Sequence, residues 1–245
     1  MSLICKSQAI VLHLTKYGDS GLIAHVLDSR LGRRGIYLRG MKKSKNSAVT
    51  AHFHNLAILE VVTAASTKSK LLYLREYHPL VQLHSIRTDI SKGAIALFVS
   101  EVIYRTLREE SGDEELFEWL KGMISTLEAL EGNCANFHLK FLAGFCRQMG
   151  FLPHDNWSEQ TPLFDIISAR FVTPESLHDS SYLFSEQDSL LLHRLLSADF
   201  NEAMQIPLNA KARNSFCDQM LKYLSYWLET SINIRSVAVL HTIFA

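Results

Sequence analysis

The sequence predicts an α+β protein in which a small closed β-barrel precedes a helical region. Apolar residues alternate in short runs up to about residue 80, and from about Thr88 they recur at helical spacing. The charges divide at the same place: residues 1–80 carry 12 basic and 4 acidic side chains, whereas residues 81–245 carry 13 and 21. A chain of 245 residues is also long for one core. We therefore predict two domains, 1–80 and 81–245, with a polyanion-binding surface on the first.

Five short strands are predicted in the first 80 residues. They are rich in β-branched, aliphatic and aromatic residues and are separated by glycine-containing or polar turns. Their predicted ranges are Ala9–Leu14, Leu22–Leu27, Ile36–Arg39, Leu56–Thr63 and Leu71–Tyr77. A flat five-stranded sheet would leave two unpaired edges, and closure into a barrel removes them. The simplest solution is a five-stranded oligonucleotide-binding (OB) barrel, on which the second and third strands usually face the nucleic acid.

A basic stretch accompanies the third strand. No carboxylate lies between Arg30 and Asn46. Like charges repel one another and lose solvation on burial, so this stretch must lie at the surface. It is either a solvated turn or, because strands hold it rigidly, a phosphate-binding surface. The residues predicted to bind nucleic acid are Arg33, Arg34, Arg39, Lys42, Lys43, Lys45, Lys68 and Lys70.

Helices are predicted throughout the second region. The first long helix begins between about Ile86 and Ser91, after the change of period that follows Pro79. Capping residues and helix-ending glycines then predict four more helices. These follow Asp113, run from about Ala135 to Met149, follow Ser185, and run from Asn209 to about Glu229. Residues 155–182 lose helical periodicity and predict a non-helical insert with a possible hairpin over Phe164–Phe171. The apolar tail is predicted to pack back on the body.

Motifs for catalysis and metal binding are sparse. No glycine-rich phosphate loop or nucleophile elbow occurs, so we predict no enzyme activity, no catalytic residue and no cofactor. His52 and His54 share a strand face, and Cys134 and His138 stand at helical spacing. A structural zinc site usually needs four ligands, so no metal site is predicted. We expect His138 to be a satisfied polar group at the surface instead.

Cellular context can be predicted from three features. The four cysteines are scattered without paired spacing, which favours free, mostly buried thiols in a reducing compartment. The first residues lack the pattern of a signal peptide. No apolar run approaches the roughly 18 residues that a membrane span requires. We therefore expect a cytoplasmic protein that does not bind membranes.

Several blocks in order resemble the RecO family of bacterial recombination mediators and DNA-repair proteins. IVLHLTKYGDSGLIAHVLDSRLGRRGI is similar to the family's opening strands and turns, and YLRGMKKSKN to its basic loop. NFHLKFLAGFCRQMGFLP is similar to its central helix, which ends in Gly-aromatic-x-Pro, and INIRSVAVL to its close. The resemblance implies an N-terminal OB barrel and a helical C-terminal domain.

The resemblance also implies a function without ordinary catalysis. Members bind single- and double-stranded DNA, anneal complementary strands and engage the RecR protein. They recognise the acidic C-terminal tail of the single-stranded-DNA-binding protein and so help load recombinase at gaps. Lys140 stands where the central-helix block has a basic residue, and we predict a partner site formed by Lys140, Phe141 and Arg147. An OB-fold RNA-binding accessory protein remains the alternative.

The predicted insert departs from many members of the family. Their insert often carries four cysteines for zinc, whereas residues 155–182 contain none. We therefore expect no zinc there. Packing of Phe164, Ile166 and Phe171 would have to hold the insert instead.

Overall fold

The structure, a computed structural model, describes residues 4–19, 21–39, 51–65, 71–108, 112–176 and 180–245. The chain divides into two compact units, Met1–Ala129 and Leu130–Ala245. The predicted domain boundary at residue 80 therefore stays a prediction, because the first unit contains helices as well as strands. No helix in the described ranges is long and apolar enough to cross a membrane.

The first unit contains the predicted closed five-stranded barrel. Its strands are β1 (Ile4–Tyr17), β2 (Gly21–Asp28), β3 (Gly32–Leu38), β4 (Ile58–Ala65) and β5 (Leu72–Pro79). They are ordered β1-β2-β3-β5-β4, and β4 pairs back with β1. All pairs are antiparallel except β3 with β5, which is the OB arrangement. The predicted fold class is thus confirmed.

Strand β1 is longer than the sequence pattern predicts because it serves two neighbours. Its first half, from Ile4 to Ile10, pairs with β4, and its second half, from Ala9 to Tyr17, pairs with β2. A bulge between Val11 and His13 bends the strand between these two pairings. The barrel core contains the aromatic Phe53 and a set of small and branched residues, namely Ala9, Val11, Ala24, Val26, Ile36, Leu38, Ala57, Leu59 and Val61.

Among the described residues of the first unit, three helices follow the barrel strands: α1 (His84–Thr88), α2 (Ile90–Thr106) and α3 (Glu114–Ala129). Helix α2 starts inside the predicted window, and the Asp89 carboxylate caps it by accepting from the amides of Ser91 and Lys92. The short α1 was not predicted. The Glu128 carboxylate on α3 accepts from two amides at its start, and α2 packs on β1.

The second unit is mainly helical. Its elements are α4 (Phe137–Gln148), β6 (Leu163–Asp165), β7 (Arg170–Val172), α5 (Glu186–Ser197), α6 (Phe200–Gln205), α7 (Ala210–Trp227) and α8 (Val237–Ile243). The predicted caps Ser185 and Asn209 accept from amides at the starts of α5 and α7. Strands β6 and β7 form the predicted hairpin. Helix α8 carries the tail back, so that Leu240 is buried.

The insert is held by aromatic packing, as predicted. Phe164, Ile166 and Phe171 are all buried. The Phe164 ring meets the rings of Phe171, Phe184 and Tyr223 edge to face, at centroid distances of 5.2, 5.1 and 5.5 Å. Such aromatic pairs stabilise beyond their buried area. The hairpin therefore has a hydrophobic anchor of its own.

Candidate nucleic-acid interface

A rigid turn positions the basic third strand. The buried Asp28 carboxylate accepts hydrogen bonds from the backbone amides of Arg30 and Leu31 at 2.9 and 3.0 Å and from the Ser7 hydroxyl. Gly32 then takes a φ of +71°, a conformation that glycine adopts without strain. The chain therefore enters β3 in one fixed register, with Asp28 opposite Gly32.

The three arginines predicted on and after β3 lie in different surroundings. Arg39 is exposed directly after the strand. Arg33 is half-buried, and its guanidinium carbon lies 5.1 Å from the centroid of the Tyr104 ring. Arg34 is also half-buried and donates from Nη1 to the Arg33 carbonyl at 3.3 Å. Its position in β3 has the parity of the interior residue Ile36, which directs it toward the inner side of the barrel.

Five of the predicted basic residues cannot be placed. Lys42, Lys43, Lys45, Lys68 and Lys70 lie outside the described residues. Their assignment to a nucleic-acid surface stays a prediction from the sequence.

A cluster of rings on the outer barrel face was missed by the sequence analysis. His13 and His25 are partners across β1 and β2, and their ring centroids lie 6.1 Å apart. Both rings pack against Tyr104 of α2, at 5.3 and 5.0 Å. Burial lowers the pKa of His13, and the Arg105 guanidinium lowers it further, whereas Glu101 opposes the shift. His13 therefore favours its neutral form in this cluster.

A second group of rings lies on β1, β3 and β5. Tyr37 of β3 packs edge to face against Tyr17 of β1 and Tyr73 of β5, each at a centroid distance of 5.6 Å. The proximity of these three rings depends on the strand register, which pairs Tyr37 with Tyr73 and brings the end of β1 alongside.

The predicted partner site is only partly open. Arg147 is exposed at the end of α4, two turns beyond Lys140. Phe141 does not line an accessible slot, because it is fully buried and stacks on Phe145 at 5.7 Å. The Lys140 ammonium donates to the carbonyls of Leu195 and Ala198, both at 2.7 Å. Burial lowers the pKa of Lys140, and the positive charge of Arg147 lowers it further. The carboxylates of Asp199 and Glu202 oppose that shift.

A cavity borders these lysine contacts in the second unit. It measures about 410 Å³ and is lined by Arg194, Ser197, Ala198, Glu202, Gln205, Ile206 and Pro207. Ala198 thus contributes both a carbonyl to Lys140 and a wall to the cavity. The lining combines one cation, Arg194, and one carboxylate, Glu202, with an apolar surface.

The residues considered for metal binding are not grouped. No cluster of three or more His, Cys, Asp or Glu side chains suited to a metal occurs among the described residues. The prediction that His138 lies at the surface is wrong: it is 2% exposed and its ring stacks on Phe244 at 6.1 Å. Cys134, Cys146 and Cys217 are buried cysteines that are not in disulfides, and burial raises the pKa of Cys146 and Cys217.

Family models and curated relatives match this chain over nearly its full length. Residues 1–82 match the family model described as recombination protein O N terminal, and residues 87–236 match the one described as recombination protein O C terminal. Similar curated proteins are named DNA repair protein RecO. That of Azobacteroides pseudotrichonymphae is 27% identical over 242 residues, covering 99% of this chain and all of the relative. Those of Christiangramia forsetii and Porphyromonas gingivalis are 28% and 29% identical over the same shares.

Proposed function

The chain belongs to the RecO family of DNA repair proteins, and we propose that it is a non-enzymatic recombination mediator that binds DNA through its barrel. The observation that carries this proposal is the basic strand β3, held by the Asp28 turn on a closed OB barrel. A rigid surface can keep several cations in place along a phosphate backbone.

Phosphate contacts explain how such a protein would act on many sequences. Lys and Arg side chains that neutralise phosphates release counterions, which supplies affinity without reading bases. The DNA contacts that we propose are Arg33, Arg34, Arg39, Lys42, Lys43, Lys45, Lys68 and Lys70, with Arg34 contributing only through the exposed part of its half-buried side chain. Of these, Arg39 is the described side chain that faces solvent most openly.

Strand annealing and partner loading would follow from the same charge distribution. Annealing requires two strands whose repulsion is screened while their base edges stay free, and phosphate contacts on single- and double-stranded DNA meet that requirement. We propose that the protein acts with RecR to load recombinase on DNA coated by the single-stranded-DNA-binding protein. Loading of recombinase in this way requires binding to DNA and to partners and no formation or cleavage of covalent bonds.

We place the site for the acidic tail of the coating protein on the second unit. Arg147 is exposed there, and Arg194 lines a cavity of about 410 Å³ with Ile206 and Pro207. A tail with carboxylates and a terminal apolar side chain needs a cation beside an apolar surface. Lys140 would contribute long-range charge, since its ammonium already contacts two carbonyls.

Replacing Arg39, Lys42, Lys43 and Lys45 together with Ala tests the DNA surface. We expect weaker binding of single-stranded DNA that is uniform across base sequences. The slope of log affinity against log salt should flatten by about 0.7 per lost contact, hence by roughly 2–3 in all. Stability should change little, because exposed cations contribute little to folding. Fluorescence anisotropy over a salt series, with a thermal melt alongside, measures both.

A matched variant separates local contacts from net charge. Arg87, Arg170, Lys211 and Arg235 are exposed cations outside the barrel strands and the basic stretch, and their replacement by Ala removes the same charge. This control should leave the salt slope close to that of the wild type. An unchanged slope in the first, normally folded variant would mean that the basic loop is a solvated turn.

A further inference from the structure

The exposed tyrosines beside β3 form a surface suited to bases rather than phosphates. We propose that Tyr17 and Tyr73 stack bases of single-stranded DNA and that Tyr37 between them fixes their rings; this inference rests on the proposed DNA binding. It adds to the phosphate surface a second kind of contact, one that exists only where bases are unpaired.

The register places all three rings outside the barrel. Tyr37 lies between Ile36 and Leu38, whose side chains fill the interior, so the Tyr37 side chain faces the opposite way. Tyr73 is its partner across the parallel β3–β5 pair. Tyr17 is paired with Gly21, at the start of β2. The three tyrosines thus form one row across β1, β3 and β5, which we call the tyrosine row.

Tyr37 is fixed in this row by close packing on β2. A Cβ atom at Gly21 would lie 2.4 Å from Cε2 of Tyr37, so the ring lies directly over the backbone at this glycine. Real Cβ contacts are never that close, and a larger residue at position 21 would displace the ring. The flanking rings meet Tyr37 at interplanar angles of 73° and 80°. Such edge-to-face pairs hold Tyr17 and Tyr73 without covering them.

The outer rings are left open to solvent. Tyr17 is 51% exposed and Tyr73 is 41% exposed. A single exposed aromatic residue is ordinary, whereas adjoining exposed rings form an apolar patch of the kind that marks a binding site. Rings held by neighbours also lose little conformational freedom when a ligand stacks on them.

The charges around the row favour a polyanion over a protein surface. Exposed cations stand two residues beyond two of the rings, Arg39 beyond Tyr37 and Arg75 beyond Tyr73, whereas the exposed Lys16 next to Tyr17 starts from the opposite face of β1. Two carboxylates stand nearby in sequence, on Asp19 and Glu76. Aromatic rings interleaved with cations are the combination by which proteins bind single strands without sequence preference.

Oligonucleotides with and without bases test the inference on the full chain. We expect Tyr17→Ala combined with Tyr73→Ala to weaken binding of oligo-dT about tenfold or more. Binding to an abasic oligomer of the same length and charge should not change, and neither should the salt slope. The double Phe variant should bind as the wild type does, because it keeps both rings. Tyr226→Ala, which removes a ring of similar exposure from the second unit, is the matched control.

The outcomes separate this inference from the proposed function. Wild-type protein that binds neither oligomer would contradict DNA binding itself. Wild-type binding to oligo-dT with an unchanged double Ala variant, or an equal loss on the abasic oligomer, would overturn only the tyrosine inference. A Tyr73→Trp variant gives an independent measurement if the Ala variant does not fold. Its fluorescence should be quenched by oligo-dT and not by the abasic oligomer, and equal quenching by both would also overturn the inference.

Discussion

At the scale of single residues, His138 is the side chain whose surroundings differ most from the sequence prediction. It is fully enclosed on α4, beside Phe244. Burial lowers its pKa to about 3, and the charges of Arg213 and His241 contribute, whereas a hydrogen bond with the Ala135 backbone opposes the shift. The folded protein therefore keeps His138 neutral at any pH near physiological.

This burial predicts a pH-dependent loss of stability. The unfolded chain takes up a proton on His138 near pH 6.5, whereas the folded chain does so only near pH 3. The contribution of neutral His138 to the free energy of unfolding is therefore complete above pH 6.5, and it is lost as the pH falls from about 6.5 toward 3. Between pH 7 and pH 5 we expect a loss of about 2 kcal/mol from this residue.

A non-titrating variant isolates this contribution from those of the other histidines. Urea unfolding of the wild type and of His138→Gln at pH 7 and pH 5 gives the two pH dependences. The wild type should lose about 2 kcal/mol more than the variant. Equal losses would show that the folded state accommodates a charged His138.

At the scale of elements, Lys140 acts as a cap for the end of α5. Helix ends leave carbonyls without intrahelical partners, and the Lys140 ammonium supplies a donor to those of Leu195 and Ala198. A cation at this end also interacts favourably with the helix dipole. The partner contact predicted for Lys140 did not include this role, because the carbonyls it caps belong to a helix distant in sequence.

Replacing Lys140 with Met should therefore destabilise the fold. We expect a decrease of about 1–3 kcal/mol in the free energy of unfolding, because charge-assisted hydrogen bonds to two carbonyls are lost. Lys211→Met removes an exposed lysine from α7 and should change stability by less than about 0.5 kcal/mol. Chemical denaturation compares the two, and equal effects would refute the capping role.

Comparison of Lys140→Met with a further variant, Arg147→Ala, distinguishes capping from partner binding. Titration of a labelled acidic tail peptide at low salt should show weaker binding to Arg147→Ala, whose stability stays near that of the wild type. If affinity falls only with Lys140→Met and in proportion to the unfolded fraction, Lys140 is structural. An unchanged affinity in both variants would remove the site from this part of the second unit.

Local patterns predicted the elements better than their contacts. The hairpin at Phe164–Phe171, the caps Ser185 and Asn209 and the start of α2 follow from short-range spacing, and all are present. The double pairing of β1 and the tyrosine row depend on register between distant strands, which spacing within one strand does not contain. The burial of His138 depends in the same way on Phe244, far along the chain.

At the scale of the whole molecule, the barrel needs the helices that follow it. Ile10 and Leu27 are partners across β1 and β2 and alternate with the interior residues Val11 and Val26, so they face outward. Both are nevertheless buried, at 0% and 2% exposure, and α2 packs on β1. Lys121 of α3 also donates to the Gln8 side chain at 3.2 Å. Removing the helices would expose these side chains at about 1.5–3 kcal/mol each.

We therefore predict that residues 1–129, rather than 1–80, form the smallest stable unit that contains the barrel. The longer fragment should unfold cooperatively and bind oligo-dT, whereas the shorter one should associate through its exposed outer face. Substituting Ile10→Thr and Leu27→Thr supplies the matched test. It should improve the solubility of the 1–80 fragment and destabilise the 1–129 fragment by about 3 kcal/mol or more, because only there are both side chains covered. A monomeric 1–80 fragment with a cooperative melt equal to that of 1–129 would instead place the domain boundary at residue 80. Sedimentation and thermal denaturation of the four proteins decide between the two boundaries.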